Sequence, residues 1–97
     1  MQGMQFIHTA IGKINYFLSQ GGASKYQLNS FDIAILFALG NYLYHNENCW
    51  PSQDTIQKYS NISIRKIRNV LHNLQKKGLI SIKKQGKLNS YSLSLPV

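Results

Sequence analysis

Apolar positions recur at helical spacing over the first three quarters of the chain and then switch to alternation. Over residues 4–19 the apolar side chains are Phe6, Ile7, Ile11, Ile14, Phe17 and Leu18, and Ile7, Ile11, Ile14 and Leu18 follow one helical stripe. An amphipathic helix is expected there. Gln20-Gly21-Gly22-Ala23-Ser24 then reads as a turn or flexible joint. A second helix is expected from about Phe31 to Tyr44, with Asn29 or Ser30 as its cap. Phe31, Ile33, Ala34, Ile35, Leu36, Phe37, Ala38, Leu39, Tyr42 and Leu43 make it apolar almost all round, which suits a central, buried helix. A polar loop, His45-Asn46-Glu47-Asn48, follows.

The next stretch is two short helices set close together. Ser52 is a good N-cap for a helix from Gln53 to about Ser60, with Ile56 and Tyr59 expected to face inward. Asn61 can end that helix in the left-handed conformation. Ser63 opens another helix, Ile64 to Lys77, and Gly78 marks its stop. At 100° per residue, Ile67, Val70, Leu71 and Leu74 share one face of this helix, while Arg65, Arg68, Asn69, His72 and Lys76 lie broadly opposite. The period then becomes two, or nearly so, in residues 79–84 and 90–95, with Gln85-Gly86-Lys87-Leu88-Asn89 between them. That pattern is a β-hairpin with a basic tip.

Charge sharpens this picture. The 97 residues suit one domain, and 43% apolar content argues against disorder. Residues 1–54 carry Lys13 and Lys25 against Asp32, Glu47 and Asp54, a net charge of −1. Residues 55–97 carry nine Lys and Arg and no acid, a net charge of +9. So one-sided a distribution points to a polyanionic partner. Other classes find little support. Three acids do not form a convincing two-metal cluster, and His45 with Cys49 lacks a second ligand pair for zinc. Gly21-Gly22 lacks the Lys-Ser or Lys-Thr of a phosphate loop. No catalytic residue, metal, cofactor or small-molecule substrate is therefore expected, and the protein is read as a binder rather than an enzyme. The single Cys49 cannot form an internal disulfide, no run of apolar residues is long enough for a membrane span, and no secretory signal is evident. A cytoplasmic location is expected.

The residue types opposite the apolar face of the last helix carry recognition chemistry. Arg can pair with guanine edges and Asn with adenine edges in the major groove, which the first turns of such a helix enter deepest. Arg65, Arg68 and Asn69 are the candidate base readers, and His72 and Lys76 the candidate phosphate contacts. Ser63 and Lys66, at the start of the helix, join the candidate set. In the hairpin, Lys83, Lys84, Lys87 and Asn89 could lie along phosphates or reach a minor groove. Lysines also guard hairpin edges against aggregation, so Lys83, Lys84 and Lys87 have a second reading.

The stretch from Cys49-Trp50-Pro51-Ser52 to Leu95 resembles the winged helix-turn-helix family of bacterial plasmid and phage replication proteins and related regulators. The residues that carry the resemblance are Trp50-Pro51-Ser52, Ser63, Arg65, Ile67, Leu71, Leu74, Gly78-Leu79-Ile80, and Asn89 with Tyr91. Ile64 stands where the family often has Arg, Ser60 where Leu is common and Asn61 where Gly is common. The resemblance covers residues 28–97 and implies a mainly α fold with a small β-hairpin. It also implies sequence-specific binding of double-stranded DNA, in plasmid or phage replication, in segregation or in transcriptional regulation. Residues 1–27, the N-terminal amphipathic helix and hinge, fall outside it. They are either an extra helix packed on the core or a dimerisation arm, and a homodimer is the expected assembly. A protein–protein interaction module that uses the same fold without DNA is the rival reading, and it makes the basic face dispensable. Binding to RNA or single strands would call for exposed aromatics in a basic groove, whereas Tyr59 and Tyr91 are expected to point inward.

Overall fold

In four of the five described helices a side chain satisfies a free backbone N–H group of the first turn and so sets where the helix starts. In the computed structural model, which describes residues 9–43, 49 and 51–96, helix α1 spans Ala10–Ser19, and the Thr9 hydroxyl accepts a hydrogen bond from the Gly12 N–H at 2.9 Å. Phe6, Ile7, the loop at His45–Asn48 and Trp50 lie outside the described residues. Helix α2 is one turn, Gly22–Lys25. Helix α3, Ser30–Tyr42, opens with a capping box. Asn29 Oδ1 accepts from the Asp32 N–H at 3.0 Å, and Asp32 Oδ2 accepts from the Asn29 N–H at 2.9 Å. That reciprocal pair accounts for a buried carboxylate at the positive end of a helix dipole.

Helices α4, Gln53–Ser60, and α5, Ile64–Lys76, follow the expected spans closely. The Ser52 hydroxyl accepts from the Thr55 N–H, and the Ser63 hydroxyl accepts from the Lys66 N–H. Asn61 adopts φ 57° and ψ 33°, the left-handed conformation that reverses the chain between the two helices. The Ser60 hydroxyl donates to the Ile56 carbonyl at 2.7 Å, so a polar residue at that position has a partner. Ile62, from the turn itself, is buried in the same core as Ile56.

Strands β1, Ile80–Gln85, and β2, Leu88–Leu93, form an antiparallel hairpin. Its turn is tighter than the five-residue loop read from the sequence: Gln85 pairs with Leu88 across Gly86-Lys87, and Gly86 takes φ +64°. Asn89 therefore lies in a strand. Cys49 exchanges two backbone hydrogen bonds with Tyr91, at 2.9 and 2.8 Å, adding an isolated bridge on the outer side of β2. The fold is mostly helical with a two-stranded antiparallel hairpin after the last helix, a winged helix-turn-helix arrangement.

One core joins these elements. Ile35, Leu36, Ala38 and Leu39 of α3 meet Ile56 of α4, Ile67, Val70, Leu71 and Leu74 of α5, and Leu79, Ile80 and Tyr91 of the hairpin. Ile14 and Phe17 of α1 belong to the same core. The approach of α1 to α3 is close enough to require glycine: a Cβ on Gly40 would lie 2.7 Å from Ile14 Cδ1. Gly22, read from the sequence as part of a turn or joint, is buried against Phe17, and a Cβ there would lie 2.6 Å from the ring.

Two inward expectations do not hold. Tyr59 is 49% exposed, because Ile56 and Ile62 fill the core beneath the last turn of the short α4. Phe31 is 43% exposed, on the side of the first turn of α3 away from the buried Asp32, and the buried apolar run of the helix begins at Ile35. Among the described residues, no helix is long and apolar enough to cross a membrane.

Candidate nucleic-acid interface

Helix α5 presents two polar rows to solvent. Arg65, Asn69 and Lys76 are exposed and, at 100° per residue, form an outer row. Arg68, His72 and Gln75 are exposed and border the hairpin. A cleft of about 160 Å³ lies between this second row and Ile82, Asn89 and Tyr91. A larger cleft, about 380 Å³, continues from it toward the first turn of α4. Gln53, Asp54, Ile64, Arg68, Lys87 and Asn89 are among its lining residues. Arg68 and Asn89 face both clefts, and Lys87 reaches the larger one from the tip of the hairpin.

Strand pairing decides which hairpin cations can act beside α5. Residues paired directly across an antiparallel ladder share a face, and faces alternate along each strand. Ile82 pairs with Tyr91 and Lys84 with Asn89, so Lys84 and Asn89 continue the face that carries Tyr91. Lys83 pairs with Ser90 and lies on the opposite face. The candidate lysines of β1 are thus divided by the pleat, and Lys84 shares the side of the α5 groove.

The other expected residues are placed as follows. Ser63 is exposed at the start of α5, its oxygen accepting the capping bond from the Lys66 N–H at 3.2 Å. Lys66 is half-buried, with its ammonium 4.8 Å from the centre of the Phe31 ring, a cation–π contact that draws it toward α3. Lys77 is directed to backbone: its ammonium donates to the Tyr26 carbonyl at 2.7 Å and to the Gln27 carbonyl at 3.2 Å, tying the end of α5 to the segment before α3.

The first turns of the helices differ in charge. Those of α3 and α4 carry Asp32 and Asp54, which suit the positive end of a helix dipole. The first turn of α5 carries no acid and holds Arg65 and Lys66 instead. A cation there is locally unfavourable, typically by about 0.3–1 kcal/mol at an exposed site. An arrangement that opposes local stability in this way fits a surface that receives an anion.

Sequence reasoning missed two side chains at this surface. Gln53 accepts a hydrogen bond from Arg68 Nε at 2.9 Å across the turn, and Gln75 extends the hairpin-facing row of α5. Helical spacing could have indicated Gln75. The Gln53 contact depends on the crossing of two helices and has no local signal.

Reactive chemistry is not prominent. Burial pushes the Cys49 thiol up to about 11, away from the thiolate form that attacks or ligates. Burial also raises the Tyr91 hydroxyl above its ordinary value, with a hydrogen bond from the Asn89 side chain acting in the opposite direction. Among the described residues, no three His, Cys, Asp or Glu come together as a metal site.

A capped helix pair with an αL turn, a second helix exposing Arg and Asn, and a lysine-bearing hairpin beside it define a helix-turn-helix nucleic-acid-binding module. The family described as a helix-turn-helix domain matches residues 26–80, more than half of the chain, and the protein belongs to that family. The match runs from the segment before α3 through α4 and α5 to the first residue of β1. Comparison with curated proteins and with solved structures returns no match.

Proposed function

We propose that the protein binds double-stranded DNA sequence-specifically, with α5 in the major groove and the hairpin as a wing on the flanking backbone. The observation that carries the reading is the exposed, acid-free start of α5. There Arg65, Arg68 and Asn69 project from a helix whose opposite face is fixed by Ile67, Val70, Leu71 and Leu74. Arg and Asn are the side chains that read guanine and adenine edges by paired hydrogen bonds. Lys84 and Lys87, beside the same groove, supply sequence-independent attraction to phosphate. The role assigned is binding rather than catalysis. Asp32 is held in its cap, which leaves Asp54 as the only carboxylate near the clefts among the described residues.

The use of the bound site follows the resemblance to plasmid and phage replication proteins and related regulators: replication initiation, segregation or transcriptional control. Double-stranded DNA is the proposed partner, and the cytoplasm is where the protein would meet it. Homodimerisation through the Ile14 and Phe17 side of α1 is disfavoured, since both side chains already face the chain's own core.

Selection of binding sites from random duplexes tests the proposal. A recovered motif of a few defined base pairs is expected. A palindrome or repeat with half-sites about 10 base pairs apart, or a multiple of that, would report two copies on one DNA face. Recovery of no motif, with no duplex retained at low salt, would remove the reading and leave the protein-interaction alternative.

A further inference from the structure

The hydrogen bond from Arg68 Nε to Gln53 Oε1, 2.9 Å long, joins residues 15 apart in sequence. Arginine donates and cannot accept, so the Gln53 amide must turn its oxygen toward the guanidinium. The bond uses the nitrogen nearest the aliphatic stem. It leaves the two terminal nitrogens, the pair suited to bidentate contact with guanine O6 and N7. Gln53 itself is anchored. It is the first residue of α4, directly after the Ser52 cap, whose hydroxyl is bonded to both the Thr55 N–H and the Thr55 hydroxyl. Both Gln53 and Arg68 line both clefts of the interface.

An exposed arginine held only by its own stem samples many rotamers, and ordering it on binding weakens the complex. Resting on the reading of duplex binding above, we infer that Gln53 is a positioning residue for sequence readout. From α4 it restrains the Arg68 side chain of α5 before DNA arrives, so that the terminal guanidinium nitrogens are presented to a base pair rather than to the nearest phosphate. The specificity of α5 thus depends on a side chain of the preceding helix.

The test compares Gln53→Met, which keeps length and removes the acceptor, with Gln53→Glu, which keeps an acceptor. Affinity is measured on the selected duplex, on every single-base variant of it and on random duplex, alongside thermal melting. Gln53→Met should reduce discrimination at one base pair, the one that Arg68→Ala also relaxes, by roughly three- to tenfold. Gln53→Glu should retain discrimination there while weakening all duplexes alike, through its added negative charge. In an Arg68→Ala background, Gln53→Met should change discrimination no further. The inference is overturned if Gln53→Met leaves discrimination intact, if it weakens every position equally, or if its effect persists without Arg68. Should Arg68→Ala itself leave specificity unchanged while the duplex still binds, the inference falls and the functional reading stands. Absence of duplex binding by the wild type would instead fail the functional reading first.

Discussion

Gly40 stands in α3, where glycine disfavours a helix by roughly 1 kcal/mol relative to alanine. The close approach of α1 explains it. A Cβ at position 40 would lie 2.7 Å from Ile14 Cδ1 and 2.9 Å from Ile11 Cδ1, both shorter than real carbon contacts. Ile11 is half-buried and its terminal methyl can move outward, but Ile14 is fully buried. Overpacking of this kind costs about 1–3 kcal/mol. Set against the propensity gain, Gly40→Ala should destabilise the protein by about 1 kcal/mol, lowering Tm by roughly 4–8 °C. Ile14→Val removes the closer and more confined of the two atoms in conflict and alone costs about 0.5–1.5 kcal/mol. In the Ile14→Val background, Gly40→Ala should be neutral or stabilising by up to about 1 kcal/mol. Urea unfolding of the four proteins, followed by circular dichroism, gives the coupling, expected at about 1–2 kcal/mol. If Gly40→Ala stabilised both backgrounds equally, α1 would not be seated on α3, and the α1 stripe would need another covering.

Three further outcomes follow from the same geometry. Asn61→Ala places a residue without a local polar partner at φ 57° and should cost about 1 kcal/mol, while Asn61→Gly should stay within about 0.5 kcal/mol of wild type; thermal melting reads both. Lys84→Ala should weaken duplex binding more than Lys83→Ala, since only Lys84 shares the face of Tyr91, and equal losses in a titration would contradict that assignment. Cys49, with its thiol raised from 9.0 to about 11, and Tyr91, raised in the same direction, bind protons more tightly folded than unfolded. The stability they support is full below pH 9 and falls as pH rises toward 11, so Cys49→Ala should flatten the decline of the urea midpoint over that window; a mutant that tracks wild type throughout would refute the linkage.

The elements legible from sequence were those with local causes. Ser52, Asn61, Ser63 and Gly78 are boundary residues whose side chain or backbone freedom acts within one turn, and α4 and α5 begin and end where these residues place them. The buried face of α5 followed from spacing alone. What depended on the neighbours of an element did not follow. Tyr59 has the spacing of an inward residue but is exposed, whereas Ile62, from the turn, is buried in the core. Gly22 looks like a joint until the Phe17 ring is seen against it. Lys83 and Lys84 are one basic pair in the sequence and two faces in the hairpin. At the interface, the exposed row of α5 was legible, whereas the Gln53–Arg68 bond requires the angle between two helices.

The central claim, that α5 reads bases while the wing holds backbone, is tested most directly by fluorescence anisotropy on a selected duplex and a scrambled one across a range of salt. For wild type, log affinity should fall linearly with log salt on both duplexes, with a slope of about −0.9 per neutralised phosphate and a constant offset favouring the selected site. Arg68→Ala should shrink that offset by about 1–3 kcal/mol, and Lys87→Ala should lower both lines together and reduce the slope by about 1. An affinity independent of salt, an absence of binding at low salt, or two variants that lower both lines alike would contradict the account.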